Sequence, residues 1–344
     1  MKQDWIDFLH KQGASEDILS FGNPGEELAL AQSGTVLTPL EDMALIKASG
    51  EEAKLFLHNL LTNDIKGLRA DAIQYNGFCN PKGRLLASFL VWHAGPDLML
   101  ALSADLHATI LKKLSMYVLR SKVKLTDASS EFVLMGLSGE NAKDALADTV
   151  QIPQKTMMVS SFDQGQLLRL EDQRFVMMVS FSEAQQVWQK LAETAHPVGL
   201  TCWHWLEITS GLPRVTAATT EEFIPQMVNF DVVGGVSFKK GCYPGQEIVA
   251  RTQYLGKLKR RMYRAHLDTA AASPGDHLYA PETGEQSCGR VLDVAQAPQG
   301  GRDLLAVIQS SCADGGQVHL GSPSGPSLHL LPLPYALPSE ETKS

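Results

Sequence analysis

The residue whose neighbours most favour chemistry is Cys242, within the segment FKKGCYPGQEIVAR at residues 238–251. Gly and Pro residues around it favour a tight, exposed loop, and the residues from Gln246 onward can begin a short helix. A cysteine just ahead of a helix N-terminus and beside Lys239 and Lys240 is favoured as the thiolate. A thiolate can attack an electrophile, bind a soft metal or be oxidised. The alternative is that Cys242 is a small buried hydrophobic residue, as most free cysteines are.

A basic run follows this loop at residues 251–264, with six cationic residues and no acid. On a strand, Lys257, Lys259 and Arg261 would share one face, which could hold a polyglutamate tail, an RNA phosphate or an acidic partner. The alternative is a solvated strand face. A looser basic cluster, which we expect to be solvated, consists of Lys112, Lys113, Arg120, Lys122 and Lys124.

Composition narrows the class of protein. The chain has 344 residues and a formal net charge of −8, whereas proteins that coat nucleic acid by bulk charge are basic, so any RNA contact must come from a local patch. The five cysteines are odd in number and lack CxxC spacing, which argues against a disulfide framework and a self-contained zinc or iron–sulfur site. The histidines are scattered, and we assign no metal. Without a signal peptide or a long apolar run, we expect a cytoplasmic protein that does not span a membrane.

The elements that must position these residues follow a mixed α+β order. We expect a short helix around Trp5 and Phe8 that ends at residues 22–25, and a helix after a capping box of Ser49 and Glu52. Strands are predicted near 85–92, 98–102 and 122–126, with a helix near 104–117. A smaller unit at 131–196 combines strands near 132–137, 166–171 and 174–180 with helices near 140–147 and 182–193. From about residue 255, short runs punctuated by Pro and Gly predict a small all-β barrel or sandwich.

The loop motif resembles the signature of the YgfZ family, which is kin to the aminomethyltransferase GcvT of glycine cleavage. The motif reads Lys240-Gly241-Cys242-Tyr243-x-Gly245-Gln246-Glu247, and the match extends upstream through residues 223–226, Asn229 and residues 234–238, and downstream to Arg251. Weaker matches lie at residues 61–64, 82–84 and 332–335. The resemblance spans roughly residues 35–336.

The resemblance implies a three-domain ring of two α+β domains and a C-terminal β-barrel around a tetrahydrofolate channel. The expected domains are a folate-binding one at 35–128 plus 212–252, a second at 129–211 and the barrel at 253–338. They are flanked by an extension at 1–34 and a disordered tail at 339–344. Proteins of this family support iron–sulfur enzymes, including those that thiolate tRNA. The resemblance makes Cys242 and Lys240 the candidate reactive residues, and it assigns to folate Trp203, Met43, Tyr243, Gln246, Glu247 and Arg251.

One position assigned to folate, Trp203, matches the family pattern, whereas the sequence departs from that pattern at Met43, at Thr209 and in residues 82–89. Trp203 matches a family tryptophan whose flat ring can stack on a pterin, although Trp203 and Trp205 could equally be core aromatics. Met43 stands where the family has its other tryptophan, and methionine stacks less well. Thr209 stands where the wider family often has a glutamate for the pterin's amino edge.

The third departure concerns catalysis, because residues 82–89 lack the acidic pair of GcvT-type enzymes, and proton transfer needs a titratable group within hydrogen-bond reach. We therefore expect an accessory factor that is not a competent aminomethyltransferase. Two alternatives remain open. One is a folate-dependent one-carbon transferase with a diverged site, and the other is a direct tRNA binder that makes weak contact through the basic run at 251–264.

Overall fold

The protein was analysed as a computed structural model that describes residues 2–254, 258–269 and 271–338. These residues form two compact units. Unit 1 comprises the described parts of Met1–Phe56, Lys66–Gln74 and Phe89–Trp203, and unit 2 comprises those of Leu57–Ile65, Tyr75–Ser88 and His204–Ser344. The predicted disordered tail at 339–344 lies outside the described residues. The described part of the chain contains no helix long and apolar enough to cross a membrane.

The helices are α1 (Lys2–Lys11), α2 (Pro24–Ser33), α3 (Ala53–Leu60), α4 (His107–Ser115), α5 (Ala142–Leu146), α6 (Ala184–Leu191), α7 (Leu200–Thr209), α8 (Gln246–Tyr254) and α9 (Ser310–Gly315). The strands are β1 (Val36–Pro39), β2 (Met43–Ser49), β3 (Ile73–Cys79), β4 (Leu85–Ala94), β5 (Asp97–Ser103), β6 (Lys124–Asp127), β7 (Phe132–Ser138), β8 (Met158–Phe162), β9 (Gly165–Arg169), β10 (Arg174–Ser180), β11 (His196–Pro197), β12 (Arg260–Leu267), β13 (His277–Tyr279), β14 (Gly289–Gln296), β15 (Arg302–Gln309), β16 (Val318–Leu320) and β17 (Ser327–Leu331).

Mixed α+β structure is confirmed, with two open sheets. The six-stranded sheet has the order β11-β1-β7-β10-β9-β8, and the five-stranded sheet has the order β3-β4-β5-β2-β6. Strands β7 and β10 are buried along almost their whole length, as expected for central strands covered on both faces. The predicted hairpin of residues 85–102 is confirmed as β4 and β5, which pair in antiparallel register from Leu90 with Ala101 to Ala94 with Asp97.

The punctuation at residues 22–25 begins a helix, contrary to the prediction that it ends one. The predicted N-terminal helix is confirmed as α1, but it ends at Lys11. Asn23 then caps α2, since its side chain accepts hydrogen bonds from the backbone N–H groups of Gly25 and Glu26. Pro24 occupies the first helical turn, where a missing N–H costs nothing. The same Asn-Pro-Gly residues thus favour a helix start.

The predicted capping box is also wrong, although the helix that it was expected to begin is present as α3. Ser49 is the last residue of β2. The Glu52 carboxylate accepts a hydrogen bond from the backbone N–H of Lys122 at 2.5 Å. The Glu52 side chain therefore bonds to Lys122, which is distant in the sequence, and does not cap α3 as the local pattern predicted.

The predicted C-terminal barrel is confirmed in unit 2. Its strands close in the order β12-β15-β14-β13-β16-β17, around an apolar core that includes Leu278, Leu304 and Val318. Asp303 is buried at the barrel wall, where its carboxylate accepts hydrogen bonds from Trp205 Nε1 at 3.0 Å and Arg264 at 3.1 Å. His266 Nδ1 lies 2.8 Å from the same carboxylate. This shared use of Asp303 fixes Trp205 as a packed aromatic of unit 2.

Candidate functional site

Cys242 lies on an exposed loop of unit 2, directly ahead of α8. Its side chain is exposed, whereas Cys79, Cys202, Cys288 and Cys312 are buried. The predicted helix after the loop is confirmed, and it begins at Gln246. Gly241 has open space where a Cβ would lie, so nothing crowds the backbone next to the thiol. The loop therefore presents one sulfur to solvent.

Two side-chain hydrogen bonds and one backbone hydrogen bond hold the segment that leads into this loop. Thr62 Oγ1 donates to the carbonyl of Gly235 at 2.6 Å, and Asn63 Nδ2 donates to the carbonyl of Gly234 at 2.7 Å. The N–H of Ser237 donates to the Thr62 carbonyl at 3.0 Å. The segments at 61–64 and 234–238, which both matched the family motif, are thus held together in one place.

Lys240 is the anchor of the loop, and its ammonium is largely withdrawn from solvent. Only 9% of Lys240 is exposed, and its Nζ donates to the carbonyls of His58 and Leu61. The first carbonyl lies in the last turn of α3 and the second directly after the helix, where a cation is favourable because helix C-termini carry partial negative charge. The ammonium also lies 4.8 Å from the centre of the Tyr243 ring, a cation–π distance. Lys240 thus joins the loop to α3.

Two glycines allow the turn between β3 and β4 to lie against the loop. Gly245 has φ +80°, and a Cβ there would lie 2.4 Å from the carbonyl oxygen of Asn80 and 2.6 Å from Cα of Gly83. Gly83 has φ +72° and lies against Ile248 of α8. The Asn80 side chain closes this turn by accepting from the N–H groups of Lys82 and Arg84. Sequence reasoning matched residues 82–84 to the family but missed this contact, although a glycine in each motif was a signal of close approach.

The residues of the Cys242 loop and of α8 that were assigned to folate divide between buried and exposed positions. Glu247 and Arg251 are exposed, Gln246 is partly buried and Tyr243 is buried. Burial raises the pKa of the Tyr243 hydroxyl. The helix is held from below by Gln226, whose side-chain amide donates to the Val249 carbonyl at 2.7 Å. Gln226 is buried, and sequence reasoning did not give it this supporting role.

Trp203 and Met43, the other residues assigned to folate, lie in unit 1. Only 1% of Trp203 is exposed, its ring covers Gly136 so closely that a Cβ there would lie 2.4 Å away, and the Arg174 guanidinium lies 5.4 Å from the ring centre. Met43 lines a small cleft with a volume of about 20 Å³, which is roughly the space that one water molecule needs. The structure therefore places Trp203 in the packed core of unit 1 and Met43 beside a small cleft, and their assignment to folate stays a prediction.

One feature of Trp203 remains unexplained by packing. Its indole N–H is buried and has no hydrogen-bond partner among the described residues. Buried donors are normally paired, so an acceptor on a ligand would satisfy it. Stacking on the ring, however, would require Arg174 or the Gly136 strand to move.

The basic run does not form the shared cationic strand face that the sequence suggested. Lys257 lies outside the described residues, and Lys259 is exposed ahead of β12. Arg261 is buried and makes a two-pronged ion pair with Asp231, at 2.6 and 2.9 Å. Arg264 pairs with Asp303 at 3.1 Å. Two of the expected anion-binding arginines are therefore already paired inside unit 2.

The described residues contain no group of three or more His, Cys, Asp or Glu side chains arranged to hold a metal ion. The Cys242 sulfur is exposed on a loop whose neighbouring residues are held by the hydrogen bonds of Lys240, the close approach of Gly245 to Asn80 and the hydrogen bond from Gln226 to α8.

Comparison with known proteins identifies the family to which the chain belongs. Residues 20–234 match the family model described as the GCVT N-terminal domain. The chain is 31% identical over 319 residues to the tRNA-modifying protein YgfZ of Yersinia pestis (strain Pestoides F), covering 91% of this chain and 96% of that protein. It is 31% identical over 326 residues to the tRNA-modifying protein YgfZ of Vibrio vulnificus (strain YJ016), covering 92% and 96%.

Among solved structures, the glycine cleavage system aminomethyltransferase T of Bartonella henselae has the same fold, with a TM-score of 0.77. The match covers 95% of this chain and 96% of that chain at 18% sequence identity. At that identity the likeness establishes the architecture.

Proposed function

Because the chain belongs to the YgfZ family and carries its GcvT-type domain, we propose that it is an accessory factor for iron–sulfur cluster assembly or repair. It binds tetrahydrofolate, works in the cytoplasm and acts through Cys242. Its clients are iron–sulfur enzymes, including those that thiolate tRNA, in keeping with the name of its relatives. The observation that carries this proposal is that Cys242 is exposed while the other four cysteines are buried, on a loop built from the family's own motif segments.

Cys242 can contribute one thiolate to a partner's cluster, or its thiolate can attack the outer sulfur of a partner's persulfide, which forms the Cys242 persulfide and releases the partner's thiolate. Iron–sulfur clusters usually take about four protein ligands, so a lone cysteine holds iron only together with ligands that the partner supplies. An exposed sulfur on a fixed loop suits such a transient contact, because a partner can approach it without unfolding the site.

Tetrahydrofolate binding rests on family membership, and no step of the proposed chemistry runs through the folate. Glu247 and Arg251 supply exposed polar groups on α8. Fluorescence titration with reduced folate tests this part of the proposal. We expect saturable binding, and a titration without saturation contradicts it.

A deletion strain lacking its own family member distinguishes the accessory role from a one-carbon transferase. We expect the wild-type chain to restore the activities of several iron–sulfur enzymes while showing no folate-dependent transfer to or from an aminomethylated lipoyl carrier. The absence of acids in residues 82–89 is the reason. Transfer with steady turnover, or no effect on iron–sulfur enzymes, contradicts the proposal.

A further inference from the structure

We propose that unit 1 carries a binding surface for unpaired RNA, located at the end of α4 and the turn that follows it. We call this the α4 surface and define it by Lys112, Tyr117, Leu119, Arg120, Lys122 and Lys124. This surface does not include the Cys242 loop. We assign RNA binding to it and not to the basic run at 251–264, because Arg261 and Arg264 of that run form ion pairs within unit 2.

Charge is the first argument. Residues 106–126 contain five cationic residues and no Asp or Glu, in a chain whose net charge is −8. Lys112, Arg120, Lys122 and Lys124 are all exposed. Lys122 pairs with Glu51 at 2.9 Å, but both side chains are more than 70% exposed, and such a pair contributes little against solvent. Even with the adjacent acids Glu51 and Glu52 counted, the four exposed cations leave the surface net positive, so it attracts anions although the whole protein is acidic.

Exposed apolar groups are the second argument. Leu119 is 89% exposed, Met116 69% and Tyr117 43%. Leu119 also has φ +42°, a left-handed conformation that costs a side chain with a Cβ roughly 1–2 kcal/mol. Neither burial nor backbone preference explains leucine there. Grouped apolar side chains on a surface mark contact with another molecule.

Shape is the third argument. The turn is fixed to the start of α3, because Glu52 accepts from the Lys122 N–H at 2.5 Å and its own N–H donates to the Lys122 carbonyl at 3.3 Å. An open depression of about 730 Å³ is lined by Glu52, Tyr117, Leu119, Arg120 and Ser121. The Tyr117 ring in this depression can stack on a base. The Arg120 guanidinium and the Ser121 hydroxyl can donate hydrogen bonds, and the Glu52 carboxylate can accept them.

These features together favour RNA over the other anionic partners. Proteins read unpaired RNA by stacking bases on aromatic or guanidinium planes while cations hold the phosphates. A lipid surface would use the cations and the exposed Leu119, but it would make no use of a polar depression beside an aromatic ring. An acidic protein surface would likewise need no stacking platform.

The experiment measures binding of a fluorescently labelled 12-nucleotide oligouridylate and of total bacterial tRNA between 50 and 200 mM NaCl, using the full chain. For the triple variant Lys112→Ala, Arg120→Ala, Lys124→Ala we expect at least tenfold weaker binding at low salt. We also expect a salt dependence that is shallower by roughly 2 in slope, since each cation on a single strand contributes about 0.7. Tyr117→Ala should weaken oligouridylate binding by about tenfold without changing the slope.

A matched triple variant, Lys11→Ala, Lys155→Ala, Lys259→Ala, removes three other exposed cations, including one from the basic run. It should bind RNA within about twofold of the wild type, and so should Cys242→Ala, which separates this surface from the proposed function. Equal weakening by both triple variants, or no saturable RNA binding, overturns the proposal. So does binding to vesicles of phosphatidylglycerol and phosphatidylethanolamine that Leu119→Asp abolishes while RNA fails to bind.

Discussion

Lys240 is a residue at which burial, charge and backbone hydrogen bonding meet. A buried cation is tolerable only when its donors are satisfied, and here two carbonyls of the α3 terminus and the Tyr243 ring satisfy them. The neighbouring lysine, Lys239, is exposed. The sequence set the two lysines side by side as charges near a thiol, but the structure gives the buried one an anchoring role.

Replacing Lys240 by methionine should destabilise the protein, because the two carbonyls lose their donor and the ring loses its cation. We expect a loss of about 1–3 kcal/mol, seen as a lower melting temperature in circular dichroism. Lys239→Met is the matched control and should melt within about 0.5 kcal/mol of the wild type. Equal melting temperatures for the two variants would show that the anchor contributes nothing.

The five thiols should differ sharply in reactivity. Cys242 is exposed, while burial raises the pKa of Cys79 and of Cys202 to about 12. Since the thiolate is the reactive form, the native protein should react rapidly with one equivalent of Ellman's reagent at pH 8. Cys242→Ser should remove that fast phase, and denaturant should reveal the remaining thiols. A fast phase that survives in Cys242→Ser contradicts the assignment of the exposed sulfur.

At the scale of elements, local patterns predicted those helices and strands whose signals were strongest. Turn residues and alternating apolar residues correctly predicted helix α8, the β4–β5 hairpin and the barrel. The predicted C-terminal end of α1 and the predicted capping box before α3 were wrong. Both errors have one cause. A side chain such as Glu52 or Asn23 has several partners within reach, and tertiary contact chooses among them.

The contact between the β3–β4 turn and the Cys242 loop gives a prediction at this scale. Gly245→Ala places a Cβ within 2.4 Å of backbone at a residue with φ +80°, so the loop must move or the protein must lose stability. We expect a lower melting temperature and an altered rate of Cys242 alkylation. Gly241→Ala is the control, because its Cβ meets open space. The same behaviour in both variants would show that the close approach is unimportant.

At the scale of the whole molecule, the sequence identified the fold and the family but not the contacts between distant segments. Thr62 and Gly235 are 173 positions apart, and no local pattern pairs them. The basic run shows the same limit, since the acids that neutralise Arg261 and Arg264 lie 30 and 39 positions away. Burial of Trp203 was likewise invisible, because composition cannot tell a stacking ring from a core ring.

Buried acidic groups in both units make stability depend on alkaline pH. Burial raises the pKa of Cys79 and Cys202, and also of Tyr335, to about 12. Below about pH 8 these groups are neutral in both the folded and unfolded chain. As pH rises towards 12 the unfolded chain loses protons first, so unfolding is favoured. The melting temperature should therefore hold to about pH 8 and fall above it, and Cys202→Ala should fall less steeply. A flat profile to pH 11 contradicts the expected shifts.

The most direct test of the proposed function asks whether the protein acts through the sulfur atom of Cys242. Thiolated nucleosides in tRNA can be quantified by mass spectrometry in a strain that lacks its own family member and expresses either wild type, Cys242→Ala or Cys312→Ala at matched soluble levels. We predict that the wild type and Cys312→Ala restore thiolation and that Cys242→Ala leaves it at the level of the empty strain. Full restoration by Cys242→Ala would contradict the account.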